Sequence, residues 1–321
     1  MNQHVRETPA AARATRQLSD RMWWRFTRIH GWTNGYSTEL LNRVLAIGSR
    51  AKNTATAVSE TFRCEMTPEQ IAQLAGTVRR DSHSLLPVRL DPSVCDDLVA
   101  FCLSLKCEPF PPPTSGPQEI VLDLTRPAAP MNFFGLPQGI HRHAAVAALM
   151  SDPVLAAMAR DYLGCEPILD TCLIWASPAF GAGPSSEVTQ WFHYDTLNPR
   201  FIKFFVYLTD VDSDTGPHCV VPSTHRPDLA GWRLRLGPAR ISDEQIDAAY
   251  PGMTRELLGP RGTVIAEDTR AFHKGKQPTR GCRFVLELCF VNVVVGSEVP
   301  EPERLRRAFT TPAGQPEGLR E

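Results

Sequence analysis

The chain is predicted to be mainly β with flanking helices, its second half folding as an antiparallel double sheet of the jelly-roll type. Three observations carry this. From Pro167 onward the sequence breaks into many short runs rich in branched and aromatic residues. Turn signals separate these runs, and no long helical pattern comes between them. Short strands joined by tight turns without intervening helices pack as two facing sheets. The whole chain has 321 residues, 42% hydrophobic and 21% charged, a globular balance rather than a disordered one. Its formal net charge of −1 gives no electrostatic attraction to nucleic acid or to an acidic membrane.

Residues 1–64 read as an N-terminal helical extension. Thr8 to Arg28 contains no Gly and, after Pro9, no Pro, and is rich in Ala and Arg. Ser37 to Lys52 reads as a second helix, with Leu40, Leu41, Val44, Leu45 and Ile47 near helical spacing. These helices either pack on the main domain or join two copies into a homodimer. The main domain is set at 65–321. Thr67-Pro68-Glu69-Gln70 opens a helix that runs to Arg80, with Thr67 as cap and Pro68 in the first position. Leu85 to Leu90 reads as a strand, and Asp91-Pro92-Ser93 opens a helix through Leu105. The prolines from Pro109 to Pro117 impose a loop. Ala144 to Leu163 reads as two short helices broken near Ser151-Asp152-Pro153.

Strands follow at Ile168 to Ala176, Val188 to Asp195, Phe201 to Thr209 and His218 to Pro222, with a loop at Gly181 to Ser186 and a polar turn at Asp210 to Gly216. Residues 229–258 are an insertion, helical from Ser242 to Tyr250 with Ser242 as its cap. Gly262 to Glu267 and Arg283 to Val295 complete the strands.

Chemistry concentrates in Trp191-Phe192-His193-Tyr194-Asp195. On a strand, His193 and Asp195 share one face, roughly 7 Å apart, because side chains alternate with a period of two. An imidazole and a carboxylate so placed can grip one metal ion. A further histidine, His273, and an arginine in an apolar run, Arg283, lie downstream. Two histidines and one carboxylate form the facial triad of non-haem Fe(II) oxygenases, which leaves positions open for a co-substrate and O2. A buried arginine suits the free end of a dicarboxylate, because its planar fork pairs with a carboxylate at two points.

Four motifs in order carry a family resemblance: His193-x-Asp195; Gly216-Pro217-His218-Cys219-Val220-Val221-Pro222-Ser223-Thr224-His225; Gly262-Thr263 followed by Thr269 and His273; and Thr279-x-Gly281-x-Arg283. Over roughly residues 82 to 296 the chain resembles the phytanoyl-CoA dioxygenase family of Fe(II)- and 2-oxoglutarate-dependent oxygenases. The resemblance implies a double-stranded β-helix (jelly-roll) core, with His193, Asp195 and His273 as iron ligands and Arg283 pairing with the distal carboxylate of 2-oxoglutarate. It implies Fe(II), 2-oxoglutarate and O2 as cofactor and co-substrates, and hydroxylation of an aliphatic C–H in a small metabolite with release of succinate and CO2. The carboxylate at Asp195 argues against halogenation, since related halogenases carry a small residue there. Two departures stand out. The family's arginine lies eleven residues after the second histidine, and Arg283 lies ten after His273, which leaves Arg280 as a rival. The family's serine two residues after that histidine is here Gly275.

Other residues are assigned around this frame. Lys203 stands in an otherwise apolar strand on the face of Phe205. It either points inward, supplying the cation Gly275 cannot, or reaches solvent. Thr279 joins Arg283 and Lys203 as a co-substrate contact, while Trp191, Phe205, Arg270 and Asp170 line the substrate pocket. Arg270 alternatively pairs with Asp268 or Glu267, and Cys172 packs in the core. His218 and His225 read as structural. Two other classes fit parts of the pattern: a metal-dependent enzyme on a cupin-like barrel that does not use 2-oxoglutarate, and a non-catalytic binding protein on the same fold. The cysteines number 9, an odd count with no C-x-x-C pair, which points to a reducing compartment. Met1 to Ser19 lacks an apolar core of signal-peptide length, and no run reaches the roughly 18 apolar residues of a membrane span. The expectation is a soluble cytoplasmic protein acting on a small molecule.

Overall fold

The computed structural model describes residues 17–45, 51–110, 119–124, 132–135, 137–179, 189–196 and 198–295. A short strand β1 (Gln17–Leu18) leads into helices α1 (Asp20–Trp32) and α2 (Tyr36–Leu45). The start of the first predicted helix, before residue 17, and the segment 46–50 of the second lie outside the described residues. A hairpin of β2 (Ala57–Ser59) and β3 (Cys64–Met66) precedes α3 (Pro68–Asp81). Thr67 caps that helix in a reciprocal box with Gln70, and Pro68 occupies the first turn, as the residue order predicts. Then come β4 (His83–Arg89), α4 (Pro92–Ser104) with Asp91 as cap, β5 (Lys106–Phe110), β6 (Ile120–Val121) and β7 (Asn132–Gly135). Pro109 and Phe110, the first two residues of the predicted proline loop, instead pair with β7; residues 111–118 lie outside the described residues. Helices α5 (Pro137–Ile140), α6 (Ala144–Met150) and α7 (Pro153–Leu163) follow, the break between the last two falling at Ser151-Asp152.

The second half supplies β8 (Ile168–Pro178), β9 (Phe201–Tyr207), β10 (His218–Val220), α8 (Leu229–Arg235), α9 (Asp243–Ala249), β11 (Arg255–Leu257), β12 (Thr263–Glu267), β13 (His273–Gly275), β14 (Cys282–Val291) and β15 (Val294–Val295). An eight-stranded antiparallel sheet runs β4-β12-β9-β14-β8-β7-β5-β6 and faces a three-stranded sheet, β11-β10-β13. This is the jelly-roll barrel. The predicted strand from Val188 to Asp195 is not formed among its described residues: only isolated bridges join Phe192 to Ile241 and His193 to His273. The reason is a mismatch in length. His193 bonds to His273 and Asp195 to Thr269, so two residues on one side face four on the other, and no ladder can propagate. The loop predicted at Gly181 to Ser186 lies outside the described residues.

Strand alternation separates two cores. Ile202, Phe204 and Val206 of β9, with Phe284, Leu286, Leu288 and Phe290 of β14, turn outward against Ile71, Val78, Leu98, Leu155 and Met158 of the helices. Cys172 belongs to this outer core. Phe205, Tyr207, Ile265 and Val285 turn inward, with Val220 and Leu257 of the small sheet. Strands buried on both faces read as continuous apolar runs, which leaves inward polar residues as the exceptions. The insertion forms a third cluster, Ile241, Ile246 and Tyr250 packing on Phe192, Val221 and Phe272. The N-terminal helices lie on the barrel: Asn34 donates to the Asp228 carbonyl and Asn42 to the Pro199 carbonyl, each at 3.0 Å. All nine cysteines are free thiols. No helix among the described residues is long and apolar enough to cross a membrane.

Candidate metal and co-substrate site

His193, Asp195 and His273 converge, each offering one ligand atom, with those atoms within 4.8 Å of one another. The two histidines are clamped by paired backbone bonds, His193 N to His273 O at 3.0 Å and His273 N to His193 O at 2.9 Å. Their ring centroids lie 4.2 Å apart. In each ring Nδ1 is 3.0 Å from the carbonyl two residues earlier, that of Trp191 or Ala271. A carbonyl only accepts, so Nδ1 carries the proton and Nε2 keeps a lone pair for a metal. Burial holds both imidazoles below the usual histidine range, with their mutual repulsion adding to it at His193. They are therefore neutral, the form a metal requires.

Asp195 is fixed by its backbone N–H, which donates to the Thr269 carbonyl at 2.8 Å, and by the Thr269 hydroxyl, which donates to Oδ2 at 2.7 Å. Burial alone would push its carboxyl up; the Lys203 ammonium, aided by the Thr269 hydroxyl, outweighs this and holds it below the usual carboxylate range. Lys203 does point inward. Its Nζ lies 3.0 Å from Asp195 Oδ2 and 3.0 Å from Glu287 Oε1. It does not sit beside Arg283, as a partner in the co-substrate anchor would. The register pairs Lys203 with Cys289, at the opposite end of β14 from Arg283.

Arg283 is buried and faces inward. Its Nη1 donates to the Gly216 carbonyl and its Nη2 lies 3.5 Å from Ser177 Oγ. Its Nε is buried without a partner among the described residues, and burial lowers its pKa from the usual guanidinium value. Gly275 has a physical reason: a Cβ there would stand 2.8 Å from Arg283 Nη2. Arg280 is exposed and paired with Asp212 on the surface, so it is no rival. Thr279 is a correction. It is exposed, and both its N–H and its hydroxyl donate to the Asp214 carbonyl, at 2.7 and 3.1 Å, outside the barrel.

Arg270 is a second correction. Its guanidinium grips Asp268, with Nε to Oδ1 at 2.9 Å and Nη2 to Oδ2 at 2.6 Å, and reaches Glu39 of α2 at 3.1 Å. The bland pairing wins because Asp268 is fully buried and held by Tyr162 as well; a buried carboxylate needs its cation. Phe205 lines the barrel interior, 4.9 Å from the His218 ring and 6.1 Å from Trp175. Trp191 is half-buried beside His193, and Asp170 is the extra residue at the bulge opposite Cys289 and Phe290. His225 is structural, 3.1 Å from the Arg79 carbonyl.

His218 lies inside the barrel beside the metal site. It stacks on His273 at 5.4 Å and lies 2.7 Å from Glu267 Oε2, though the angle is not that of a hydrogen bond and both groups keep unpartnered atoms. Burial pushes Glu267 up to about 7 and His218 down to about 3. Sequence reasoning placed neither Glu267 nor Glu287 at the site. Alternation could have found both, since Glu267 follows Ile265 by two and Glu287 follows Arg283 by four. Arg240, from the insertion, brings positive charge to His193 and Asp195; its composition and context offered no signal.

A jelly-roll barrel holding a His-x-Asp and a distant histidine, with an inward arginine on the last long strand, is the plan of the non-haem Fe(II)/2-oxoglutarate oxygenase class. Residues 132–283 match the family described as Phytanoyl-CoA dioxygenase (PhyH), so the resemblance carried by the four motifs is established over that segment. Among solved structures, the non-heme alpha ketoglutarate dependent epimerase SnoN from nogalamycin biosynthesis is 15% identical, covering 70% of this chain and 84% of its own, with a TM-score of 0.49. EctD from S. alaskensis with bound Fe is 20% identical over 76% and 86%, TM-score 0.47. HygX from Streptomyces hygroscopicus with nickel and 2-oxoglutarate bound is 18% identical over 70% and 87%, TM-score 0.46. No curated protein matches the chain significantly.

Proposed function

We propose that this protein is an Fe(II)- and 2-oxoglutarate-dependent oxygenase that hydroxylates an aliphatic C–H bond of a small metabolite. One observation carries the reading. Two neutral histidines turn free Nε2 atoms toward a fixed carboxylate, and a buried arginine without a carboxylate partner among the described residues shares their barrel. His193, Asp195 and His273 would hold the iron, and the donor set fits: two neutral nitrogens and one anionic oxygen. Iron, when bound with 2-oxoglutarate, supplies activation of O2. Arg283 would hold the distal carboxylate of the co-substrate, replacing a missing counter-ion. Glu287, Phe205 and Val285, with half-buried Trp175, shape the wall along which co-substrate and substrate are oriented, and the burial of the first three excludes water. We also propose that residues 1–64 are an extension on the oxygenase domain of 65–321.

The test is anaerobic reconstitution with Fe(II) and 2-oxoglutarate, followed by a metabolite screen for O2-dependent succinate release. The wild type should release succinate, and Asp195→Ala should lose coupled turnover and bind Fe(II) far more weakly, having lost its anionic ligand. An Asp195→Ala protein with near-normal hydroxylation would defeat the assignment.

A further inference from the structure

Lys203, Asp195 and Glu287 form a buried cluster in which one ammonium serves two carboxylates at equal distances of 3.0 Å. Lys203 is 7% exposed and Glu287 3%. Two anions and one cation leave the trio with a charge of −1, and a buried charge without a counter-ion is costly. Asp195 Oδ2 takes both the ammonium and the Thr269 hydroxyl. The ammonium thus orients the carboxylate and also competes with any cation that binds it.

We propose that Lys203 and Glu287 are positioning residues that set the charge of the metal centre: Lys203 holds Asp195 in place, and Glu287 draws enough of the ammonium away to keep Asp195 available to a divalent cation. This rests on the reading of His193, Asp195 and His273 as metal ligands. A structural ion pair would serve only to fill the barrel, and losing either partner would then weaken the site. The charge-setting role predicts instead that losing the second partner repairs the loss of the first. Removing the Glu287 charge gives the ammonium wholly to Asp195 and makes the trio neutral, so the metal binds less well. Removing the Lys203 charge as well returns the trio to −1.

The experiment is anaerobic titration of the full chain with Co(II), followed by the visible absorption of the bound ion, with thermal unfolding of each metal-free variant as the check on folding. Wild type should bind Co(II), and Asp195→Ala should not; a wild type that fails to bind would end the metal reading and this inference with it. Glu287→Gln should weaken Co(II) binding by about tenfold or more, the effect expected for one charge near a divalent ion even under strong screening. Glu287→Asp keeps the charge and should stay within about threefold of wild type on the same grounds. Adding Lys203→Met to Glu287→Gln should restore affinity toward the wild-type value. The inference is overturned if Glu287→Gln binds as wild type does, if Glu287→Asp is as weak as Glu287→Gln, or if the double variant is no tighter than Glu287→Gln.

Discussion

Arg283 and Gly275 are best understood as one unit. The guanidinium is buried with a backbone carbonyl and a distant hydroxyl as its contacts, and no carboxylate among the described residues pairs with it. A dicarboxylate that completes a two-point contact there gains a charge-assisted interaction, and truncating one partner of such a buried pair costs about 2–5 kcal/mol. Arg283→Ala should therefore raise the 2-oxoglutarate requirement steeply in steady-state assays, while Arg280→Ala, exposed and paired with Asp212, should leave it near the wild-type value. The reverse result would place the anchor at the wrong arginine. Gly275→Ala puts a methyl 2.8 Å from Arg283 Nη2, so the guanidinium must move. Its expected signature is a raised KM for 2-oxoglutarate with unchanged metal affinity; a variant with unaltered KM would show that the arginine has room to spare. Residue counting alone left Arg280 and Arg283 undecided. Gly281, at φ +68, turns the chain between them, and that turn decides which arginine faces inward.

Elements with a local cause were legible in the sequence, and those with a tertiary cause were not. Capped helices belong to the first kind: Thr67 with Pro68, Asp91 with Pro92, Asp152 with Pro153, and Ser242 all begin helices where the residue order says they should. The long strands were legible too, because apolar runs buried on both faces leave little else to choose. The segment bearing His193 and Asp195 was not, since its shape depends on pairing with residues that lie 80 and 74 positions away, His273 and Thr269. Nor could a sequence show that Arg270 is spent on Asp268 or that Thr279 faces outward. Asp152 offers a test of capping energetics. It is buried, accepts from the N–H groups of Val154 and Leu155 at 3.0 and 3.1 Å, and takes the hydroxyl of Ser59 from the β2–β3 hairpin. Asp152→Ala loses a cap worth about 1 kcal/mol and strands a buried hydroxyl for a further ~1–3 kcal/mol. Thr67→Ala, a cap at an exposed helix start, loses only the first contribution. Denaturant unfolding should rank the two variants in that order; equal losses would mean that the hairpin contact contributes nothing.

The molecule as a whole is stitched together by a charged and polar seam between the N-terminal helices and the barrel, and this seam should set its response to acid. Glu39 of α2 meets Arg270 at 3.1 Å and Arg200 at 3.3 Å, and Arg270 in turn holds buried Asp268. His30 of α1 lies inside the seam, its Nδ1 2.7 Å from Thr38 Oγ1. Burial, followed by the positive charges of Arg270 and Arg235, lowers its pKa from 6.5 to about 4. Arg270 likewise holds Asp268 below the usual carboxylate range against the effect of burial. Both groups have folded pKa values below their unfolded ones, so the unfolded chain binds more protons as pH falls, and acid favours unfolding. For His30 the stabilisation is fully present above pH 6.5 and drains away as the pH falls toward about 4, a loss of at most about 3 kcal/mol. Asp268 and Glu39 stabilise the fold above the unfolded carboxylate range and lose that contribution only as the pH falls below it. The metal-free protein, kept in chelator, should therefore lose thermal stability between pH 6.5 and 4.5, with His30 adding its share to that of the buried barrel histidines. His30→Asn keeps a polar group near Thr38 and removes the titration, so its unfolding temperature should fall less over the same interval. If wild type and His30→Asn decline in parallel, the acid sensitivity arises elsewhere, and the seam is not where the N-terminal helices answer to pH.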